Sequence, residues 1–373
     1  VNSTYLAAVF FYSMKYWGCC GHCNDDNAKF CGGCGKAFQT TSSSSQDASN
    51  PSWVDHINDY VGNDRPADLN WKVLFTDVLK KHSKSEAENI FICGTKTTTP
   101  TLDSVSQQWP HPWLYSRVFL MFAVAFSLLY VCCVLFGNTN AIPGLIVVGS
   151  FTVPLSGLVL FLEVNAYRNI SLYDISLIFL VGGCASLVST LSLFSIVGVS
   201  ELDFIGALLV GIIEEVGKAV IVYYFIKKLG RRNILPGLLI GAAVGAGFAA
   251  FESAGYAMNY LLAGGWDMML DVIFLRGFLT PGGHIAWAAI TGAAMVIASK
   301  KYEEITSAIL TDGKFLRLFA IPILLHALWD SPLSNIGADI YLLPILLTFI
   351  VWVVVLILIN MGLSEIAKHK MNY

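Results

Sequence analysis

The chain has 373 residues, of which 55% are apolar and 13% are charged, about half the charged share of a typical soluble protein. The formal net charge is −3, so the basic excess of a nucleic-acid-binding protein is absent. This composition excludes a disordered chain, a coiled coil and an ordinary soluble enzyme. Residues 1–117 are polar and residues 118–362 consist of long apolar runs, which predicts an integral membrane protein with a small soluble front.

The first 18 residues read as an N-terminal extension (1–18). Residues 6–12 are apolar, but neither a preceding basic stretch nor a cleavage site accompanies them, so we do not expect a signal peptide. Met14 stands just ahead of a cysteine cluster. We interpret Met14 as the native start.

Five of the nine cysteines lie within residues 19–34, and four of them form two CxxC pairs separated by seven residues. Four thiolates at this spacing can close a tetrahedron around zinc. We therefore predict a zinc ribbon at 19–38 with a structural Zn²⁺. The predicted ligands are Cys20, Cys23, Cys31 and Cys34, with Cys19 and His22 as possible substitutes. Disulfides are the alternative, which a reducing cytoplasmic location disfavours.

Two segments separate the ribbon from the apolar part. Residues 39–51 are rich in Ser and Thr and read as a flexible linker. Residues 52–117 carry enough Trp, Leu and Phe for a small soluble region, to which we assign no function.

Eight apolar segments are long enough to cross a bilayer as helices. They are 118–136, 142–162, 175–199, 204–226, 235–262, 278–298, 318–334 and 340–362. The alternating pattern of a transmembrane β-barrel is absent from these segments. The sequence predicts an all-α bundle of about eight transmembrane helices over 118–362, followed by a tail at 363–373.

The Lys and Arg residues of the loops predict the orientation of the bundle. Eleven basic residues fall in the loops and tail on the side of the N-terminus, against one, Arg276, on the opposite side. Both termini are therefore expected in the cytoplasm. For Arg276 we favour an interfacial anchor over a contact to a substrate carboxylate.

Ionisable residues lie within spans four to seven and are absent from the middle of the other spans. They are Glu214, Glu215, Lys218, Glu252, His284, His326 and Asp330. Each charge near the centre of a bilayer costs roughly 2.5–3.5 kcal/mol, so these groups should converge inside the bundle. A functional site is the first interpretation, and a purely structural ion-pair network is the alternative.

Helical spacing places several of these groups together. Glu214 and Lys218 are four residues apart and share a face, as do His326 and Asp330. Counting along the spans puts the cluster between the midplane and the outer leaflet, with His284 some six residues inside span six. Glycines of span five at every fourth position, 237, 241 and 245, are interpreted as packing residues.

Four motifs carry a resemblance to a known family. They are Glu214-Glu215-Val216-Gly217-Lys218, Phe248-Ala249-Ala250-Phe251-Glu252, His284-Ile285-Ala286-Trp287 and His326-Ala327-Leu328-Trp329-Asp330. In this order, one to a span, they resemble the PrsW family of intramembrane proteases, which is related to the CAAX prenyl proteases and bacteriocin-processing proteins. The resemblance implies cleavage of a membrane-anchored substrate near the extracytoplasmic face, often an anti-sigma factor, as the first cut of regulated proteolysis in a bacterial cell membrane.

The residues suit amide hydrolysis, which needs a base, an oxyanion donor and an acid. Glu214 is our choice of base, with Glu215 and Lys218 holding the helix face. His326, oriented by Asp330, would stabilise the oxyanion or protonate the leaving amine, and His284 with Glu252 would complete the water site.

A metal-dependent version uses the same residues differently. Glu252, His284, His326 and Asp330 would bind zinc, leaving Glu214 as base. The HExxH spacing of many zinc proteases is absent, and we favour the metal-free mechanism.

Two other functions use the same features. An ion- or proton-coupled transporter also needs intramembrane carboxylates, but predicts matching polar positions in both halves of the bundle. A receptor or scaffold would use the ribbon to bind a partner. The expected partners of the protease are a membrane-anchored protein and lipid, and not nucleic acid. The sequence does not set the oligomeric state.

Overall fold

The computed structural model describes residues 15–16, 23–24, 52–199, 201–335, 337 and 340–371. The chain divides into two units, Val1–Pro51 and Ser52–Tyr373. In the first unit, β1 (Lys15–Tyr16) pairs antiparallel with β2 (Cys23–Asn24). The other three predicted zinc ligands, Cys20, Cys31 and Cys34, lie outside the described residues. The zinc ribbon therefore stays a prediction.

Three short helices open the second unit: α1 (Trp53–Val61), α2 (Val73–Thr76) and α3 (Lys84–Phe91). A capping box begins α1 and another begins α3, because a serine side chain accepts the N–H of the residue three positions later while that residue's carboxylate accepts the serine N–H. The Tyr60 hydroxyl donates to the Arg317 carbonyl at 2.9 Å. The region at 52–113 thus packs against the long helices that follow it.

The long helices confirm the predicted all-α bundle. They are α4 (Leu114–Phe136), α5 (Ile142–Val164), α6 (Leu172–Leu177), which continues through a π-helical turn (Ile178–Gly182) into α7 (Gly183–Val197), α8 (Phe204–Leu229), α9 (Ile234–Leu279), α10 (His284–Ser299), α11 (Gly313–Asp330) and α12 (Leu342–Met371). Each predicted span has its counterpart among them.

Within the described residues, five helical segments are long and apolar enough to cross a membrane. They are 114–136, 139–164, 172–197, 234–299 and 342–370. Two further helices, α8 and α11, carry charged residues in an otherwise apolar sequence. They are the helices that hold Glu214, Glu215, Lys218 and Asp330.

The middle of α9 reverses the chain direction. Gly265 has φ +83° and ψ −161°, a conformation that essentially only glycine adopts. In a straight helix Arg276 and Glu252 would be about 36 Å apart. Instead their side chains form an ion pair, so the second half of α9 runs back along the first.

This reversal corrects two boundaries expected from the sequence. Residues 263–277 were expected to form an outer loop, but they are helical on both sides of Gly265. Span six was expected to begin at residue 278, but α10 begins at His284 after a 3₁₀ turn at Thr280–Gly282. His284 is therefore the first residue of its helix rather than six residues inside it.

The first half of α9 and all of α10 form the buried centre of the bundle. All residues of 234–250 and of 285–296 are buried, whereas α4 buries only Leu114 and Val118. A Cβ on Gly241 would lie 2.0 Å from the Ala288 carbonyl oxygen, and one on Gly245 would lie 2.2 Å from that of His284. These glycines let the two backbones approach closely, and this contact places His284 beside α9.

Candidate active site

Four helices bring the seven predicted site residues into one cluster. From α8 come Glu214, Glu215 and Lys218, from α9 Glu252, from α10 His284, and from α11 His326 and Asp330. Hydrogen bonds and ion pairs connect all seven. The convergence expected from the cost of charge in lipid is therefore present, while the role of each residue is a separate question.

The deepest part of the cluster is the ion pair on α8. The Lys218 ammonium donates to Glu215 Oε1 at 2.7 Å and lies 3.5 Å from Glu214 Oε2. The side chains of Lys218 and Glu215 are both 0% exposed. Lys218 Nζ also lies 4.3 Å from the centre of the Phe248 ring, which adds a cation–π contact. The Lys218–Glu215 pair therefore supports the other groups of the cluster from its most buried side.

His326 bridges α8 and α11. Its Nδ1 lies 2.9 Å from Glu215 Oε1, and its Nε2 lies 3.3 Å from Asp330 Oδ2 and 3.7 Å from Glu214 Oε2. The Trp287 ring stacks on the imidazole at a centroid distance of 4.4 Å. The sequence indicated Asp330 as the group that orients His326; in the structure Glu215, on another helix, makes the shorter contact to the opposite nitrogen.

His284 is held from both sides. Its Nε2 lies 3.0 Å from Glu252 Oε2, and the Lys218 ammonium lies 2.8 Å from its Nδ1. An ammonium group can only donate, so Nδ1 accepts this hydrogen bond and Nε2 donates to the carboxylate. The partners of His284 thus select one neutral tautomer.

A cavity of about 380 Å³ opens beside the cluster. Its walls include Glu214, Glu252, His284, His326 and Asp330, together with Tyr256, Arg276, Trp287 and Trp329. Glu215 and Lys218 do not line it. Five of the seven predicted residues can therefore meet a substrate or water, whereas the α8 ion pair supports them.

The Glu214 carboxylate stands out within this wall. Its Oε2 is buried and has no hydrogen-bond partner among the described residues. Most buried polar atoms are hydrogen-bonded, and one without a hydrogen bond, in a side chain that lines a cavity, needs an explanation. A proton acceptor for water, or a ligand for a cation, is the chemistry that such an oxygen offers.

Three of these groups fit a divalent metal ion by type and spacing. One ligand atom each of Glu214, His284 and His326 lies within 4.8 Å of the others. The contact of Glu215 to the second nitrogen of His326 is typical of the outer partners of metal-bound histidines. This set of metal ligands differs from the one expected from the sequence. There, Glu252 and Asp330 were ligands and Glu214 was the base.

The Lys218 ammonium already lies beside two of these three groups, Glu214 and His284. The His284 nitrogen nearest to Glu214 is Nδ1, at 4.0 Å from Oε2, and it is the atom that accepts from Lys218. The ammonium therefore supplies positive charge to both Glu214 and His284.

Arg276 is the site residue that the sequence interpretation placed wrongly. We favoured an interfacial anchor, but its guanidinium is paired with Glu252 and lines the cavity. The sequence contains one signal, Gly264-Gly265, that could have predicted a turn bringing Arg276 back toward Glu252. Tyr256, which contributes to the wall beside it, carries no comparable signal.

Comparison with known proteins gives one match. Residues 174–359 match the PrsW family intramembrane metalloprotease, and the matched segment contains all seven clustered residues. No curated protein and no solved structure matches the chain.

Proposed function

Because the chain belongs, through residues 174–359, to the PrsW family of intramembrane metalloproteases, we propose that it hydrolyses a peptide bond of a membrane-anchored protein with Glu214 as general base. The observation that carries this proposal is the Glu214 side chain, which lines the cavity near two histidines and whose buried Oε2 has no hydrogen-bond partner among the described residues.

Each group at the cavity then has a task in the reaction. Glu214 removes a proton from water as the water oxygen attacks the scissile carbonyl carbon. His326, between Glu214 and Asp330, donates to the oxyanion and then to the leaving nitrogen as the C–N bond breaks. His284, held by Glu252, lies beside Glu214 and positions the water.

The Lys218–Glu215 ion pair of α8 does not line the cavity but supports the residues that do. Glu215 accepts from both Lys218 and His326, so it couples the position of the ammonium to that of the imidazole. Its loss would disturb the fold of the site as well as the reaction.

A metal ion remains the alternative within the same site. Glu214, His284 and His326 would hold it, and when bound it would polarise the scissile carbonyl and acidify water. We favour the metal-free reaction because the Lys218 ammonium already provides a positive charge at the His284 nitrogen that faces Glu214.

Metal analysis of the purified full-length protein distinguishes the two versions. We expect one zinc per chain, held by Cys20, Cys23, Cys31 and Cys34, and the same content in His326→Gln. A metal content lower by one equivalent in His326→Gln than in the wild type would contradict the metal-free reaction.

The cellular setting follows from the distribution of charge. Basic residues gather where α8, α10 and α12 end and where α9 and α11 begin, which favours a cytoplasmic location for that end. Both termini would then be cytoplasmic in a bacterial cell membrane, and the cavity would lie toward the extracytoplasmic face. A membrane-anchored anti-sigma factor, cut first in regulated proteolysis, is the substrate class that we propose.

Mapping of protein N-termini in membranes tests the proposal and identifies the substrate in the same experiment. Cells that express the wild type are compared with cells that express Glu214→Ala at equal level. We expect at least one membrane-anchored protein to gain a new N-terminus only with the wild type. Identical sets of termini in the two membranes would exclude the assigned activity.

A further inference from the structure

Arg276 reaches the active-site cavity because α9 folds back on itself at Gly265. Its Nη2 donates to Glu252 Oε2, and its Nε donates to Ser253 Oγ at 2.9 Å. The guanidinium carbon also lies 4.5 Å from the centre of the Tyr256 ring. All three partners belong to the first half of α9, so one side chain clamps the two halves of the hairpin together.

The same Glu252 oxygen also binds His284. Oε2 accepts from Arg276 and lies 3.0 Å from His284 Nε2. A carboxylate oxygen that is already bound to a guanidinium stays an acceptor, so His284 must donate through Nε2. Arg276 is thus the outer end of a chain of contacts that runs through Glu252 and His284 to Lys218.

A planar guanidinium suits this position better than another cation. The two donated bonds go to oxygens on adjacent residues, Glu252 and Ser253, while the flat face lies on an aromatic ring. An ammonium group could replace one of these contacts but not the forked geometry. The position is therefore selective for arginine.

We propose that Arg276 is a positioning residue, which holds Glu252 and thereby keeps His284 in one tautomer and one ring orientation at the cavity wall. The inference rests on the proposed function in one respect, since the orientation of His284 matters because His284 positions the water. Its physical content, the state of the His284 ring, is measurable without any cleavage.

Solid-state NMR of the full-length protein in liposomes provides that measurement. The chain has seven histidines, so ¹⁵N-histidine labelling gives few signals, and His284→Gln identifies the signal of His284. In the wild type we expect one tautomer, with the hydrogen on Nε2. In Arg276→Ala the Glu252 side chain is free to move away from His284 and the ring can then rotate away from Lys218, so we expect a mixture of ring states. Cleavage of the substrate found by terminus mapping should be about 10- to 100-fold slower.

Chemical rescue separates positioning from a general loss of structure. The side chain of Arg276 is 26% exposed and lines the cavity, so the space left in Arg276→Ala is open to small solutes. Guanidinium chloride at low millimolar concentration should restore both the single tautomer and most of the cleavage rate, and Arg276→Lys should recover part of both.

Arg317→Ala is the matched control. Arg317 also lies over a tyrosine ring, 5.1 Å from the centre of Tyr60, but it contacts the Asp59 carbonyl outside the cavity. We expect a wild-type His284 signal and no response to guanidinium.

The outcomes distinguish this inference from the proposed function. A wild-type His284 signal in Arg276→Ala, or a disturbed signal that neither guanidinium nor Arg276→Lys restores, would overturn the positioning role. A wild-type protein that shows the expected tautomer but cleaves no membrane protein would contradict the proposed function alone.

Discussion

Buried or partly buried carboxylates occur in two regions of the helical unit, and the two groups differ in what their oxygens bind. At the end of the bundle where α4 and α9 begin, Glu163 accepts three backbone N–H groups, of Trp113, Leu114 and Tyr115. At the start of α9, Glu365 accepts the N–H of Ile234 and pairs with Lys300 at 2.8 Å. These carboxylates satisfy helix N-termini, where negative charge is favourable.

In the cluster formed by α8–α11, by contrast, one buried carboxylate oxygen accepts no N–H group of the described backbone. Glu214 is as buried as Glu365, with 9% of each side chain exposed, and its side chain lines a cavity. Its Oε2 nevertheless accepts no hydrogen bond among the described residues. Burial alone therefore does not mark a reactive carboxylate. Glu214 differs because an oxygen without a hydrogen bond belongs to a side chain that lines a cavity, where a substrate or water can donate to it.

The largest effect that this comparison predicts is the loss of activity in Glu214→Gln. The amide keeps the shape of the side chain but cannot take a proton from water, so cleavage should fall about 10²- to 10⁴-fold. The thermal midpoint should fall less than in a variant of Glu215, because Lys218 keeps its closer contact to Glu215 and no hydrogen bond to Glu214 Oε2 is lost. Retained cleavage in a protein with the wild-type midpoint would remove Glu214 from the reaction.

The neighbouring residue should behave differently, since Glu215 stabilises the fold. In Glu215→Gln the fully buried Lys218 ammonium loses its closest counter-charge, and the free energy of unfolding should fall by about 3–5 kcal/mol. Thermal unfolding followed by tryptophan fluorescence measures the loss.

A double variant sharpens this prediction. Glu215→Gln combined with Lys218→Met removes both charges, and we expect it to unfold at a higher temperature than Glu215→Gln alone. If the single variant already unfolds at the wild-type temperature, the ion pair does not stabilise the helical unit.

Glu163→Ala tests the region used for comparison. It leaves three N–H groups at the start of α4 without their acceptor, and the free energy of unfolding should fall by about 2 kcal/mol. Cleavage per folded molecule should equal that of the wild type, as α4 contributes nothing to the cavity wall. A selective loss of cleavage would mean that the two regions are coupled.

The sequence was sufficient to find the cluster because ionisable residues are rare and costly in apolar helices. That reasoning needs only the positions of Glu214, Glu252 and His326 in the chain, not their contacts. It could not predict that Glu215 rather than Asp330 makes the shorter contact to His326, because the spacing rule applies within one helix and Glu215 lies on another.

The helical hairpin in α9 was missed for a related reason. Asp267 and Asp271 make the returning segment polar enough to resemble an outer loop, and hydropathy does not reveal that a glycine pair reverses the chain. The place of Arg276 depends entirely on that reversal. Local patterns thus found the ionisable groups of the cluster, whereas the contacts between helices had to come from the structure.

The smallest predicted effect concerns Asp312, which caps α11, the helix that carries His326. The Lys314 backbone N–H, followed by the Lys301 ammonium, lowers the pKa of the Asp312 carboxyl below its ordinary 3.8. A carboxyl whose pKa is lower in the folded state stabilises the fold above its ordinary value, and this stabilisation is lost as the pH falls through the lowered one.

Asp312→Asn should therefore lower the thermal midpoint slightly at pH 7 and less at pH 3. The wild type should lose stability over that range by more than the variant does. Asparagine is also a good N-cap, so the difference between the two pH profiles isolates the charge from the hydrogen bond to Lys314. Parallel profiles would show that the contact to Lys301 contributes nothing, and that the Asp312 oxygen acts at the start of α11 only as a neutral acceptor would.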